Sequence, residues 1–333
     1  MVPTSRPVPP RRRVSRRRYL ARRIGVLAAF VLLVVGVVRV GGAMFGAEDT
    51  EAVAPADPGI ADTSDTSGAG SDATGSADGT AVPGTAATTG SIAATTTTVA
   101  APSVPTAADP AVVLIAGDSD AGTFGPYLET LLADTGVVRT TLDYKVSSGL
   151  ARPDFFDWPT HFRSIVPQVA PDIVVVTFGG NDPQGLTDGV KADGSPNFIV
   201  GEPTGEGDEE WRAEYGRRVG EVMDYLSADG RTLVWVGIPN DDNPEVTARL
   251  RVQDEVVRAE AAERPQVRFV DAWNRFSGRE GNWAEFVIDP RDKTAKDVRA
   301  DDGFHLNVVG AEILALDIAE VVLADLRGRG AAV

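Results

Sequence analysis

Ala111-Val112-Val113-Leu114-Ile115-Ala116-Gly117-Asp118-Ser119-Asp120 opens the C-terminal two-thirds of this chain. Six aliphatic residues in a row read as a strand buried on both faces, as parallel sheets require. Gly117 permits a tight turn, and Asp118 and Ser119 stand where a following helix begins. Downstream, short β-branched runs recur at Val137–Val146, Ile173–Thr177, Thr232–Ile238 and Val267–Val270. Helical stretches lie between them near 121–134, 160–169, 209–228 and 244–264, and a last one spans 308–327. Strands alternating with helices predict a three-layer α/β/α fold on a five-stranded parallel sheet. In such sheets the active groups gather at the carboxyl ends of the strands.

Upstream the composition changes. Residues 1–46 hold ten arginines and no acid, and residues 47–110 hold nine acids and no base. An apolar run of 15 residues, Ile24–Val38, follows the basic block 1–23. A membrane span needs about 20 apolar residues and a signal-peptide core about 7–15. Residues 24–46 therefore read as a transmembrane anchor, with signal cleavage and secretion as the alternative. The positive-inside rule keeps the basic flank in the cytoplasm and sends the rest outside. Residues 47–110 are nearly all Ala, Thr, Gly, Ser, Asp, Pro and Val with no aromatic, which predicts a disordered linker to a domain over 111–333.

Composition excludes several chemistries. The chain has no cysteine, so disulfides, cysteine-ligated metals and thiol nucleophiles are out. It has two histidines, His161 and His305, too few for a three-histidine metal site. Residues 111–333 carry 39 acids against 22 bases, a surface that repels phosphate backbones, so no nucleic-acid partner is expected. Oligomeric state is not legible.

Four strand-end or helix-start blocks carry chemistry. Ser119 after the first strand reads as a nucleophile at a helix N-terminus or as a plain N-cap. Gly149, in Ser147-Ser148-Gly149-Leu150, presents an N–H without a side chain or makes a simple turn. Asn181, in Phe178-Gly179-Gly180-Asn181-Asp182, offers an amide to an oxyanion or is ordinary turn chemistry. Asp302 precedes His305 by three residues, spacing that lets a carboxylate orient an imidazole, and Asn307 reads as a helix cap. His161 reads as a structural or rim residue.

Taken together and in this order, the blocks resemble the SGNH (GDSL-like) hydrolase superfamily, whose name spells its Ser, Gly, Asn and His. The resemblance covers essentially all of 111–333. Gly117-Asp118-Ser119, Gly149, Gly179-Gly180-Asn181-Asp182 and Asp302-Gly303-Phe304-His305 match its four blocks, while Asp120 stands where the name motif has Leu. The resemblance implies a flavodoxin-like strand order. It implies Ser119 as nucleophile, His305 as general base, Asp302 as its orienting acid, and an oxyanion hole from Ser119, Gly149 and Asn181. Asp118, Gly179 and Asp182 are expected to support these, without a metal or an organic cofactor.

Together with the export signal, the resemblance implies an extracytoplasmic, membrane-anchored esterase for O-acyl, foremost acetyl, esters of envelope carbohydrate. An O-acyltransferase, a non-catalytic glycan-binding protein on the same fold and a metal-dependent hydrolase are the competing expectations. Two long segments bear on substrate. Pro183–Gly207 reads as a Gly/Pro/Asp-rich loop, and Ala272–Ala300 carries Trp273, Phe276, Trp283 and Phe286, for stacking at the mouth or for packing.

Overall fold

The structure, a computed structural model, describes residues 103–205 and 208–333. The expected basic segment 1–23, the apolar segment 24–46 and linker residues 47–102 lie outside the described residues. Among the described residues, no helix is long and apolar enough to cross a membrane.

The strands are β1 (Ala111–Gly117), β2 (Val138–Tyr144), β3 (Ile173–Thr177), β4 (Leu186–Val190), β5 (Pro196–Val200), β6 (Thr232–Val236), β7 (Val267–Val270), β8 (Phe286–Ile288) and β9 (Ala295–Asp297). The helices are α1 (Ser119–Ala133), α2 (Trp158–Val169), α3 (Glu209–Leu226), α4 (Pro244–Ala262), the single turn α5 (Ala272–Arg275) and α6 (Val308–Gly328). Five strands form one parallel sheet in the order β2-β1-β3-β6-β7, the expected flavodoxin-like arrangement.

The pleat sorts the central strands between two cores. Val113 and Ile115 of β1, Ile173 and Val175 of β3, and Val234 and Val236 of β6 face α1 and α6. Leu114 and Ala116, Val174 and Val176, and Leu233 and Trp235 face α2, α3 and α4. Strands that bury both faces read as continuous apolar runs, and that is how β1 and β3 appear in the sequence. Each fully buried Val, Leu or Ile is worth roughly 1.5–3 kcal/mol relative to exposure. Edge strand β2 (Val-Arg-Thr-Thr-Leu-Asp-Tyr) is only half-buried, which explains its weaker signal.

The register aligns the functional turns. Gly117, last in β1, pairs with Tyr144 of β2 on one side and Thr177 of β3 on the other. The turns after these three strands therefore lie side by side at one end of the sheet.

Two expectations are revised. Pro183–Gly207 is not simply a loop, because Leu186–Val200 within it folds into the antiparallel hairpin β4–β5. Leu186 and Thr187 are buried, and Asp193-Gly194 supplies the reversal, with Gly194 at φ +82°. The Ala272–Ala300 segment uses most of its aromatics for packing. Trp273 and Phe276 are buried, the Trp283 indole donates to the Gly303 carbonyl at 2.8 Å, and Phe286 is exposed.

Candidate active site

The first question at Ser119 is which residue caps α1. It is Asp118, whose Oδ1 accepts from the Asp120 N–H at 2.9 Å. Ser119 is thus the first helical residue, and its hydroxyl is not spent on capping. The turn depends on Gly117, which has φ +143°, and a Cβ there would sit 2.1 Å from the Thr177 carbonyl oxygen. No other residue tolerates both constraints.

The Ser119 hydroxyl meets His305 Nε2 at 2.9 Å. On the other side of the ring, Nδ1 lies 2.6 Å from Asp302 Oδ2. Asp302 Oδ1 accepts from the backbone N–H groups of Phe304 (3.1 Å) and His305 (3.0 Å). Burial pushes the Asp302 carboxyl up, but the His305 ring and these N–H groups outweigh it, and the carboxyl ends below its usual range. An ionised carboxylate only accepts, so Nδ1 carries the ring proton and Nε2 accepts from the serine hydroxyl. Asn307 caps α6 by accepting from the Gly310 N–H at 3.0 Å, which fixes the segment that carries His305.

The other blocks are bound to this one. Asp118 Oδ2 accepts from the Gly179 N–H at 2.9 Å, tying the serine turn to the Asn181 turn. The Asn181 amide donates to the Ser148 carbonyl oxygen at 3.2 Å, which sets it against the Ser148–Gly149 peptide and leaves one amide hydrogen for another acceptor. Asp182 holds the Gly149 loop from below. Its oxygens accept from Leu150 N–H (3.0 Å), Ala151 N–H (2.9 Å) and the Tyr215 hydroxyl (2.6 Å). A Cβ at Gly149 would fall 1.9 Å from Asp182 Oδ1, so this approach requires glycine. Ser148 is anchored in turn by the Trp158 indole N–H at 2.8 Å.

Burial pushes both supporting carboxyls above their ordinary range. For Asp118 the neighbouring Asp120 adds to burial, while N–H groups of Asp120 and Gly179 oppose it. For Asp182, Tyr215 and two backbone N–H groups oppose it.

Several site residues gave no motif. Tyr215 and Arg218 on α3 support the Gly149 loop, Arg218 donating to the carbonyls of Leu150 (2.9 Å) and Thr187 (2.7 Å). Their signal was available, because Trp211, Tyr215, Arg218 and Val222 share the inward stripe of α3, where an arginine has no apolar role. Arg299 holds the loop before His305, and nothing local in the sequence marks it as buried.

His161 stays apart from the Ser119–His305 pair. Its Nε2 lies 2.6 Å from Asp143 Oδ2, and its ring packs against Phe156 and Trp158. A cavity of about 380 Å³ borders Gly149 and is lined by Phe156, Pro153, Ile199, Asp188 and Arg217 among others. Among the described residues, no group of three or more His, Asp or Glu side chains is disposed to hold a metal ion.

A family model described as "Protein of unknown function (DUF459)" matches residues 112–321. The chain belongs to this DUF459 family. The match spans every block of the DUF459 domain described above, from β1 to well into α6. No curated protein matches the sequence. Several solved structures are similar to it. One is a lipase/acylhydrolase from Enterococcus faecalis, 18% identical, over 65% of this chain and 96% of that one, TM-score 0.45. Another is a putative SGNH hydrolase from Slackia heliotrinireducens, 18% identical, over 64% and 99%, TM-score 0.41. A third is a catalytic mutant of an acetylxylan esterase from Geobacillus stearothermophilus, 15% identical, over 63% and 93%, TM-score 0.43.

Proposed function

We propose that this DUF459 chain is a serine esterase cleaving O-acyl esters through an acyl-serine intermediate. The observation that carries this reading is the Ser119 Oγ–His305 Nε2–Asp302 line, with a serine hydroxyl not used in helix capping at one end and an ionised carboxylate at the other.

Free serine is a weak nucleophile at neutral pH and needs a base. As Oγ attacks the ester carbonyl carbon, its proton passes to His305 Nε2. Asp302 stabilises the imidazolium that results. The carbonyl oxygen becomes an oxyanion beside the Ser119 N–H, the Gly149 N–H and the Asn181 amide. The bond to the leaving alcohol then breaks, and His305 returns the proton to that alcohol. Water repeats the sequence on the acyl-serine, releasing the acid and restoring Ser119. An acceptor hydroxyl in place of water would make the same residues a transferase.

We assign the substrate to acetylated carbohydrate of the cell envelope, outside the cytoplasmic membrane. The support is the arginine-rich block, apolar run and polar linker ahead of the domain. The cavity beside Gly149 adds to it, since an aromatic and aliphatic wall with a charged rim suits a sugar ring.

The test is acetate release from p-nitrophenyl acetate and from acetylated wall glycans, wild type beside Ser119→Ala. The reading expects turnover by wild type alone. Equal release by both proteins, or none by folded wild type on any ester, would overturn it. Transfer to an added saccharide in place of hydrolysis would select the transferase.

A further inference from the structure

Two buried ionisable residues sit on the segments that carry Ser119 and His305, and the mechanism above uses neither. Arg299 is 6% exposed, and its guanidinium donates to the carbonyls of Ala284, Asn240, Phe276 and Phe304 and to the Asn240 side-chain oxygen. Every one of these acceptors is uncharged. The hydrogen bonds position the loop that ends in His305, but they do not neutralise the buried cation.

Asp120 is its counterpart on α1. It is 7% exposed, and its Oδ2 is buried with no hydrogen-bond partner. A buried carboxylate oxygen without a partner is costly and needs compensating charge. The charges that act on Asp120 are His305, Asp302 and Arg299 from the loop before α6, and Asp118 from its own turn. Asp120 in turn acts on Arg299, together with Asp241, Asp302 and Asp242.

We propose that Asp120 is a second carboxylate of the acid–base machinery, a positioning residue that acts through His305. When His305 takes the Ser119 proton, the imidazolium is bonded through Nδ1 to Asp302 and feels the charge of Asp120, buried next to the serine in the chain. The same charge balances Arg299, and so couples the nucleophile turn to the loop that bears the base.

A pH dependence follows. Burial pushes the Asp120 carboxyl up to about 6, against the opposing pull of His305. Above that pH the residue is negative and favours the imidazolium. Below it the carboxyl is neutral and the support is gone. The consequence for rate rests on the serine-esterase reading, but the charge coupling does not.

The two facts are separable because the chain has only two histidines. The experiment is an NMR titration of the full chain with 13C-labelled histidine rings, assigned with His161→Gln. In Asp120→Asn the His305 ring midpoint should fall by roughly one pH unit, as expected for loss of a nearby buried charge. The His161 midpoint should not move. Asp120→Leu restores the side chain of the name motif and should give the same result if the Asn variant misfolds. In the wild-type chain the His305 signals should also show a second inflection near pH 6. A single wild-type inflection, or a His305 midpoint unmoved in a folded variant, overturns the proposal. Absent ester turnover with a shifted midpoint would instead count against the esterase reading alone.

Discussion

Ser119 Oγ lies 2.9 Å from His305 Nε2 although 186 positions of sequence separate them. The sheet and two helix starts make that meeting. Gly117 turns the chain out of β1 into α1 to present the serine, and the Asn307 cap fixes α6 so that the segment before it presents the imidazole.

Removal of either partner should abolish turnover. Ser119→Ala and His305→Ala each lose the nucleophile–base unit, and kcat/KM on p-nitrophenyl acetate should fall by about 10⁴-fold or more. The double variant should be no worse than the singles, because the two residues act as one unit. Additive losses in the double variant would contradict the assignment.

The proposed oxyanion donors should separate from each other by stability. Asn181→Ala removes one donor and should cost about 10²–10³ in kcat with little change in Tm. Gly149→Ala must also relieve a Cβ placed 1.9 Å from Asp182 Oδ1, so it should lower both kcat and Tm. Steady-state kinetics beside thermal melts distinguishes them.

Asp182 should behave as a structural anchor with a catalytic consequence. Asp182→Ala strands the Leu150 and Ala151 N–H groups and the Tyr215 hydroxyl. Leaving a buried donor unpaired costs about 1–3 kcal/mol, and loss of the buried Asp182 charge offsets part of that, so stability should fall by roughly 2–4 kcal/mol in urea unfolding. Asp182→Asn keeps the shape and an acceptor and should cost less. Tyr215→Phe removes one donor together with its need for a partner, and should cost least.

Stability should peak on the acid side of neutrality. Asp118 and Asp182 are raised by burial, and Asp120 is raised to about 6. A carboxyl raised in the folded state contributes stability that is full below its unfolded value, about 4, and is lost as pH rises through the folded one. Asp154 is opposite. Its bond from Arg152 holds it near about 2, so its contribution is present above about pH 4 and lost as pH falls through about 2. Thermal melts should therefore be highest near about pH 4 and decline as pH rises towards 6. Asp120→Asn should flatten the decline between about pH 4 and 6, and an unchanged slope would show that Asp120 does not titrate there.

Much of this architecture was legible because its signals are local. β1 and β3 are unbroken apolar runs, since both faces of the sheet are covered. The blocks were visible because parallel sheets deliver turns to one edge, where small and polar residues stand out against the runs. Other features are tertiary. β4–β5 was hidden among Gly, Pro and Asp, and its strands show only in the short pairs Leu186-Thr187 and Phe198-Ile199. Asp118 could not be separated from Ser119 as the cap without backbone angles. The burial of Arg299 comes from enclosure by segments near 240, 276, 284 and 304, which no sequence window contains.

Ester cleavage by this chain depends on Ser119 being an activated nucleophile, and a fluorophosphonate reads that directly. Intact mass and peptide mapping of the treated wild-type protein should show one adduct, on Ser119. Ser119→Ala should take none, and His305→Ala should label far more slowly. A folded wild-type protein that stays unlabelled, or carries its adduct on a different residue, would contradict the account.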